Sequence, residues 1–175
     1  EGLLGDPFKK ILTLEEIRDD YPKSEYYDDA LFVLGDTYQA SGSVDKAAAS
    51  YLSLVENEGK KSQYYNNALL RLGLLTYNQG DINGALAYYK RVMSNEPNPK
   101  ERGEAMLGIE EIYIKDLGQA DNYLAYVDSI PGFELTEFSR DSLNYTIAKN
   151  FYLNADYKKA ISSFSDYLNR FPKGV

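Results

Sequence analysis

Carboxylate pairs are the residues of this sequence that most resemble catalytic groups. They occur at Asp19-Asp20, Asp28-Asp29 and Glu110-Glu111. The two carboxylates of a general acid–base site must face one substrate, but neighbours in a helix point about 100° apart. We therefore interpret the pairs as solvated faces or as charges at helix starts. The sequence also contains no Cys and no His, which removes thiol nucleophiles, histidine triads and most zinc sites.

The sequence also lacks the features that phosphate-binding and nucleic-acid-binding proteins require. The segment from Gly35 to Gly42 lacks the Lys-Ser/Thr that a phosphate-binding loop requires. A formal net charge of −8 disfavours nucleic acid, because that affinity depends on neutralised phosphates. The richest apolar run, Ala68 to Tyr77, is interrupted by Arg71, so no transmembrane span is predicted. We expect no catalytic residue, no metal site, no cofactor and no nucleic-acid partner.

Tyrosine pairs reveal how the chain is organised. The segment Ser24-Glu-Tyr-Tyr-Asp-Asp-Ala-Leu31 matches Ser62-Gln-Tyr-Tyr-Asn-Asn-Ala-Leu69 at an offset of 38 residues (24 to 62). The same offset maps a series of small and aromatic residues onto one another: Leu34-Gly35 onto Leu72-Gly73, Gly42 onto Gly80, Ala47 onto Ala85 and Tyr51 onto Tyr89. Tyrosine pairs can stack on sugars, but recurrence at the repeat period favours packing between repeats.

The pattern continues in weaker form towards the end of the sequence, where residues 157–164 repeat residues 44–51. We predict a single repeat domain over residues 1–175. Its parts are the second helix of a preceding repeat (8–22), repeat 1 (24–59), repeat 2 (62–97), a divergent repeat 3 (99–131) and repeat 4 (136–172). Because both ends fall inside a repeat, we interpret the sequence as a fragment of a longer chain.

Each repeat is predicted to form two helices, because apolar residues return at intervals of three and four. The predicted helices span residues 8–20, 25–41, 44–57, 63–79, 82–95, 100–115, 118–129, 136–154 and 157–170. Gly42 and Gly80 are expected to end first helices in the left-handed conformation, and Asp45 and Asp81 to start the helices that follow.

Small and large residues alternate in a way that predicts how the helices pack. Gly35 and Gly73 are expected to let the partner helix approach closely, and Ala47, Ala85 and Ala160 to do the same from the second helix. Tyr51 and Tyr89 are expected to fill the space between neighbouring helices, since a tyrosine ring can be buried while its hydroxyl reaches a polar partner.

This Leu-Gly…Tyr…Gly…Ala…Tyr series resembles the tetratricopeptide repeat over nearly the whole chain. The resemblance implies an all-α fold, a right-handed superhelical array of antiparallel helix pairs (a TPR-like α-solenoid) with about nine helices. The lead-in Tyr21-Pro-Lys-Ser24 is similar to repeats of periplasmic bacterial proteins that act in outer-membrane assembly and in Tol–Pal function.

The resemblance also implies a binding surface, because first helices of this family line a concave groove. The inward positions carried over to this sequence are Phe32, Asp36, Leu70, Leu74, Tyr77, Leu107, Glu111, Tyr145, Lys149 and Tyr152. Apolar and aromatic side chains flanked by carboxylates suit an extended peptide or an amphipathic helix that carries some basic residues. The alternative is that these side chains pack against a neighbouring repeat.

Two functional hypotheses follow. The first is a non-catalytic scaffold that binds a peptide or helix of a partner protein in this groove, as part of a bacterial cell-envelope assembly. The second is a regulatory or substrate-docking module of a larger multidomain enzyme or sensor. The resemblance favours the periplasm or an outer-membrane-associated location, with the cytoplasm as the alternative. Half-repeats at both ends would also allow end-to-end self-association.

Overall fold

Helix pairs account for the fold. A computed structural model describes residues 7–173, apart from the side chains of Pro7 and Ala120, so residues 1–6 and 174–175 of the predicted domain lie outside the described residues. Within that range there are nine α-helices and no strand: α1 Pro7–Asp20, α2 Tyr27–Ala40, α3 Val44–Asn57, α4 Tyr65–Asn78, α5 Ile82–Met93, α6 Pro99–Glu111, α7 Ala120–Asp128, α8 Glu137–Leu153 and α9 Tyr157–Arg170. The predicted all-α array of helix pairs is confirmed.

The chain divides into two compact units between Gly108 and Ile109. In the first unit α2 pairs with α3 and α4 with α5, while α1 packs on α2 and α3 on α4. In the second unit α8 pairs with α9. The second helices α3, α5 and α9 therefore each present one face to their own first helix, and α3 presents another face to α4, the first helix of the next repeat.

Glycine and alanine permit the close approach within each pair, as predicted. A methyl group added to Gly73 would lie 2.7 Å from the Cε1 atom of Tyr89, and one added to Gly35 would overlap the ring of Tyr51 in the same way. The alanines at the corresponding places of the second helices are buried: Ala47, Ala85 and Ala160. The large rings of the second helices thus occupy the volume that the glycines of the first helices leave open.

The turns inside repeats 1 and 2 also follow the sequence. Gly42 and Gly80 have φ values of +76° and +85°, a region in which a side chain is strained. Asp81 caps α5 by accepting a hydrogen bond from the Gly84 backbone N–H at 2.9 Å. Asp45 lies in the first turn of α3, where a negative charge is favourable.

Repeat 3 differs from the prediction of one helix over residues 100–115. Helix α6 ends at Glu111, and a π-helical turn, Ile112–Asp116, follows it. Ile112, Tyr113 and Ile114 are all buried, whereas consecutive side chains of an α-helix point about 100° apart. Three consecutive buried residues do not fit the one buried stripe of a regular α-helix. The backbone hydrogen bond accordingly spans five residues instead of four: the Leu117 N–H donates to the Ile112 carbonyl at 2.9 Å.

Candidate interaction surface

Asp36 is the polar centre of the predicted surface in the first unit. Its Oδ1 atom accepts a hydrogen bond from the Tyr51 hydroxyl at 2.6 Å and lies 3.4 Å from the Nε atom of Arg71. The Tyr51 hydroxyl also lies 3.2 Å from the Oε1 atom of Gln39. Burial, together with the bond to Asp36, raises the pKa of Tyr51 well above its ordinary value, so this hydroxyl stays a donor. The carboxylate thereby joins α2, α3 and α4.

Phe32 lies one turn before Asp36 and is already covered on one side. Its ring stacks on Tyr64 with centroids 4.6 Å apart and planes 12° apart, and it meets Tyr51 at 5.8 Å. The Tyr64 hydroxyl donates to the Asp29 carboxylate at 2.6 Å. That hydrogen bond, reinforced by burial, raises the pKa of Tyr64. Phe32 therefore serves packing between repeats 1 and 2 and leaves only part of its ring accessible.

Helix α4 supplies three of the predicted residues, and they differ in exposure. Leu70 is buried, Tyr77 is half-buried and Leu74 is 40% exposed. They lie at positions i, i+4 and i+7 of one helix face. Leu70 thus supports the surface from beneath, while Leu74 and Tyr77 can meet a partner without any rearrangement of the core.

Leu107 and Glu111 both lie on α6, on either side of the boundary between the units. Leu107, in the first unit, is 69% exposed. Glu111, in the second unit, is exposed and pairs with the Lys115 ammonium group at 2.9 Å.

The predicted residues of α8 lie in the second unit beside aromatic rings of α9. Tyr145 meets Phe164 edge-on at 6.1 Å and Tyr167 at 5.7 Å. Tyr152 meets Tyr157 at 5.8 Å. Both tyrosines of α8 nevertheless stay exposed, at 47% and 57%, and Lys149 between them is exposed as well.

Polar contacts between repeats were not predicted from the sequence. The Asp28 carboxylate accepts from the Ser62 hydroxyl at 2.7 Å, so the pair Asp28-Asp29 does more than charge a helix start. At the next junction the buried Glu101 carboxylate accepts from the side-chain amides of Asn66 at 2.9 Å and Asn67 at 3.2 Å. The signal in the sequence was the replacement of Asp-Asp by Asn-Asn in repeat 2, which suits an acidic acceptor in repeat 3.

One member of each tyrosine pair is buried. Tyr27 and Tyr65 are buried at equivalent places of the first helices, and Tyr89 is buried on the second helix α5, at the place that Tyr51 occupies in repeat 1. Tyr26 stays 61% exposed, and its counterpart in repeat 2 is Tyr64, which covers Phe32.

Among residues 7–173 no group of three or more Asp or Glu side chains is placed to hold a metal ion. No helix in this part of the chain is long and apolar enough to cross a membrane. The geometry instead presents helix faces with exposed apolar side chains beside charges.

The chain belongs to the tetratricopeptide repeat family, whose model matches residues 29–60, 67–99 and 141–174, more than half of the sequence. The divergent stretch from residue 100 to 140 lies outside the matched segments. Tetratricopeptide repeats generally mediate protein–protein interaction and are generally not catalytic. No curated protein matches the chain.

Proposed function

We propose that this chain is a non-catalytic scaffold that binds a peptide or helix of a partner protein on the first helices of its repeats. The observation that carries the proposal is the surface of α4, where the exposed Leu74 and the half-buried Tyr77 follow Arg71 and its ion pair with Asp36. This surface is supported by buried rings and by hydrogen bonds between repeats, so its side chains are already in place before a partner binds. Preorganisation of this kind lowers the entropic cost of binding.

The chemistry of the surface indicates the class of ligand. Leu74 and Tyr77 are one helical turn apart and would receive apolar anchors of a peptide or of an amphipathic helix. Asp36, at the edge of this surface, is half-buried and would attract a basic side chain of the ligand, in competition with Arg71. The net charge of −8 supports a protein partner over a nucleic acid.

The assembly that this scaffold serves is proposed to belong to the bacterial cell envelope. The support is the lead-in Tyr21-Pro-Lys-Ser24, which is similar to the repeats of periplasmic proteins of outer-membrane assembly and Tol–Pal function.

Paired affinity captures test the scaffold proposal. The wild-type chain and Leu74→Ala/Tyr77→Ala are immobilised and exposed to the same cell extract, and Leu52→Ala serves as the matched control. Leu52 lies on the second helix α3 and has nearly the same exposure as Leu74, 36% against 40%. A protein retained by the wild type and by Leu52→Ala, but lost from the double variant with unchanged helicity, would support the groove. Equal retention by all three would overturn it.

A further inference from the structure

A cavity of about 310 Å³ lies inside the second unit, between the end of repeat 3 and helix α8. Ile114 of the π-helical turn and Tyr123 of α7 line one side, and Phe138 and Leu143 of α8 line the other. Ile114 and Tyr123 are buried, whereas Phe138 is 63% exposed. The cavity is therefore a largely apolar recess that a side chain from outside the chain can enter.

The correspondence between repeats 2 and 4 shows what occupies the equivalent space elsewhere in this chain. At an offset of 75 residues Gly80 corresponds to Ala155 (80 to 155), and both have positive φ, +85° and +60°. Asp81 and Asp156, at the same offset, each cap the second helix that follows. The two repeats thus share one register, and the positions of α8 can be compared with those of α4 one by one.

Two large side chains of repeat 2 are replaced by small ones in repeat 4. Ser139 takes the place of Tyr64 (64 to 139), and Thr146 takes the place of Arg71 (71 to 146). Tyr64 stacks on the preceding first helix α2, and Arg71 lies 3.4 Å from Asp36 of that helix. Ser139 and Thr146 both line the cavity. The cavity therefore lies where repeat 2 uses its own ring and its own guanidinium group to reach repeat 1.

Glu110 supplies a carboxylate to this cavity. Among the described residues that line the cavity, it is the one that carries a charge. Its Oε2 atom accepts a hydrogen bond from the Tyr123 hydroxyl at 3.1 Å, and no basic side chain in the described part of the chain pairs with it. Burial and the charge of Glu110 raise the pKa of Tyr123, so this hydroxyl remains a donor and orients the carboxylate. A guanidinium group in the cavity would meet an acceptor here, as Arg71 does at Asp36.

The apolar wall favours arginine over lysine as the source of that cation. The aliphatic stem of an arginine would lie along Ile114 and Leu143, with its charged end towards Glu110. A guanidinium group also stacks on aromatic rings such as that of Phe138, and it is less strongly hydrated than an ammonium group. Transfer of arginine from water into a partly apolar recess therefore costs less.

We propose that this cavity binds an arginine side chain of a partner protein, which pairs with Glu110 and takes the place that Arg71 occupies in repeat 2. The inference rests on the proposed scaffold function and extends it to the second unit, at a site separate from Leu74 and Tyr77. The wall from Glu110 to Phe138 lies in the divergent stretch of the sequence, so the site is a feature of this chain and not of every repeat.

Two peptides that differ in charge test the proposal. Acetyl-Gly-Arg-Gly-amide is compared with the same peptide in which citrulline replaces arginine, because citrulline keeps the shape and loses the charge. Nuclear magnetic resonance titrations follow the backbone amides of the 175-residue chain. The arginine peptide is expected to shift the amides of Ile114, Leu143 and Thr146. It should bind about two- to fivefold more tightly than the citrulline peptide, as for an exposed ion pair.

Two variants test the role of the carboxylate. Glu110→Gln should abolish the preference for arginine, because the amide oxygen still accepts from Tyr123 but the charge is gone. Glu111→Gln is the matched control, since it removes the neighbouring charge, which pairs with Lys115. It should leave the preference unchanged.

A second pair of variants tests the location. Thr146→Arg should prevent binding of both peptides, because the chain's own guanidinium group would then fill the cavity as Arg71 does in repeat 2. Thr13→Arg makes the same substitution at an exposed position of α1 and should leave binding unchanged.

Leu74→Ala/Tyr77→Ala should also leave the titration unchanged, so failure of the groove and failure of this cavity are distinguishable. Four results would each overturn the inference: no binding of either peptide, equal binding of the two, binding that survives Thr146→Arg, and shifts confined to the first unit. A partner captured by the wild type and lost from the Leu74→Ala/Tyr77→Ala variant would still support the scaffold in each of these cases.

Discussion

Gly73→Ala should destabilise the first unit, although alanine is the better helix former. The added methyl carbon would lie 2.7 Å from the Cε1 atom and 3.0 Å from the Cδ1 atom of Tyr89, well inside ordinary van der Waals contact of about 3.5–4.0 Å. The ring cannot simply move away, because a methyl group at Gly108 would meet its Cδ2 atom at 2.8 Å from the other edge. Tyr89 is thus held between two glycines.

The size of the effect follows from two opposing contributions. Overpacking a tight core costs about 1–3 kcal/mol, whereas replacing glycine by alanine inside a helix contributes about 0.5–1 kcal/mol of stability. The expected net loss in the free energy of unfolding is therefore about 1 kcal/mol, within a range of about 0–2.5 kcal/mol. The position lies in the interior of α4, so the propensity contribution applies in full.

Gly103→Ala is the matched control, because it isolates the helix propensity. Gly103 is exposed in α6, and a methyl group there would meet nothing within 4 Å. This variant should gain about 0.5–1 kcal/mol. Urea denaturation followed by circular dichroism at a fixed protein concentration measures both variants against wild type, with unchanged m-values as the check that the same surface unfolds.

A double-mutant cycle identifies the contact that is responsible. Gly73→Ala combined with Tyr89→Ala should cost less than the sum of the two single changes, since removal of the ring leaves room for the methyl group. Strict additivity, or a Gly73→Ala chain as stable as Gly103→Ala, would refute the reasoning that the ring and the glycine occupy complementary volumes.

Tyr51→Phe should lower the free energy of unfolding by about 0.5–1.5 kcal/mol in a urea titration, because Asp36 loses a hydrogen-bond donor; Tyr26→Phe, at an exposed ring, should change little. The raised pKa of Tyr51 means that the folded chain holds this proton more tightly than the unfolded chain, whose tyrosine pKa is about 10. The stability due to this group is therefore complete below about pH 10 and falls as the pH rises further, and Tyr51→Phe should flatten that fall. In hydrogen exchange of the 175-residue chain by itself, α1 and α9 should exchange faster than α4 and α5, because the helices at either end of this span have fewer neighbours; uniform protection would contradict this.

The local part of the fold could be predicted from the sequence because helix starts, helix ends and repeat offsets depend on neighbouring residues. The bounds of α3 and α9 agree with the prediction at both ends, and the left-handed glycines lie where the first helices of repeats 1 and 2 stop. Repeat 3 departs from the predicted helix bounds, because a π-helical turn begins at Ile112 and buries three consecutive residues, Ile112–Ile114. The periodicity of apolar residues does not reveal such a turn.

The exposure of the candidate surface residues could not be predicted from the sequence. Phe32, Leu70 and Tyr145 occupy the same position of the repeat, so the sequence treats them alike. Their exposure differs because it is set by side chains far away in the sequence: Tyr64 stacks on Phe32 from the next repeat, Leu70 is buried, and Tyr145 remains open beside the rings of α9. The sequence by itself determined the family, the helices and the pairing of small with large residues, since these depend on local spacing. Only the tertiary structure decided which apolar side chains are covered, because burial depends on contacts between helices that the spacing does not specify.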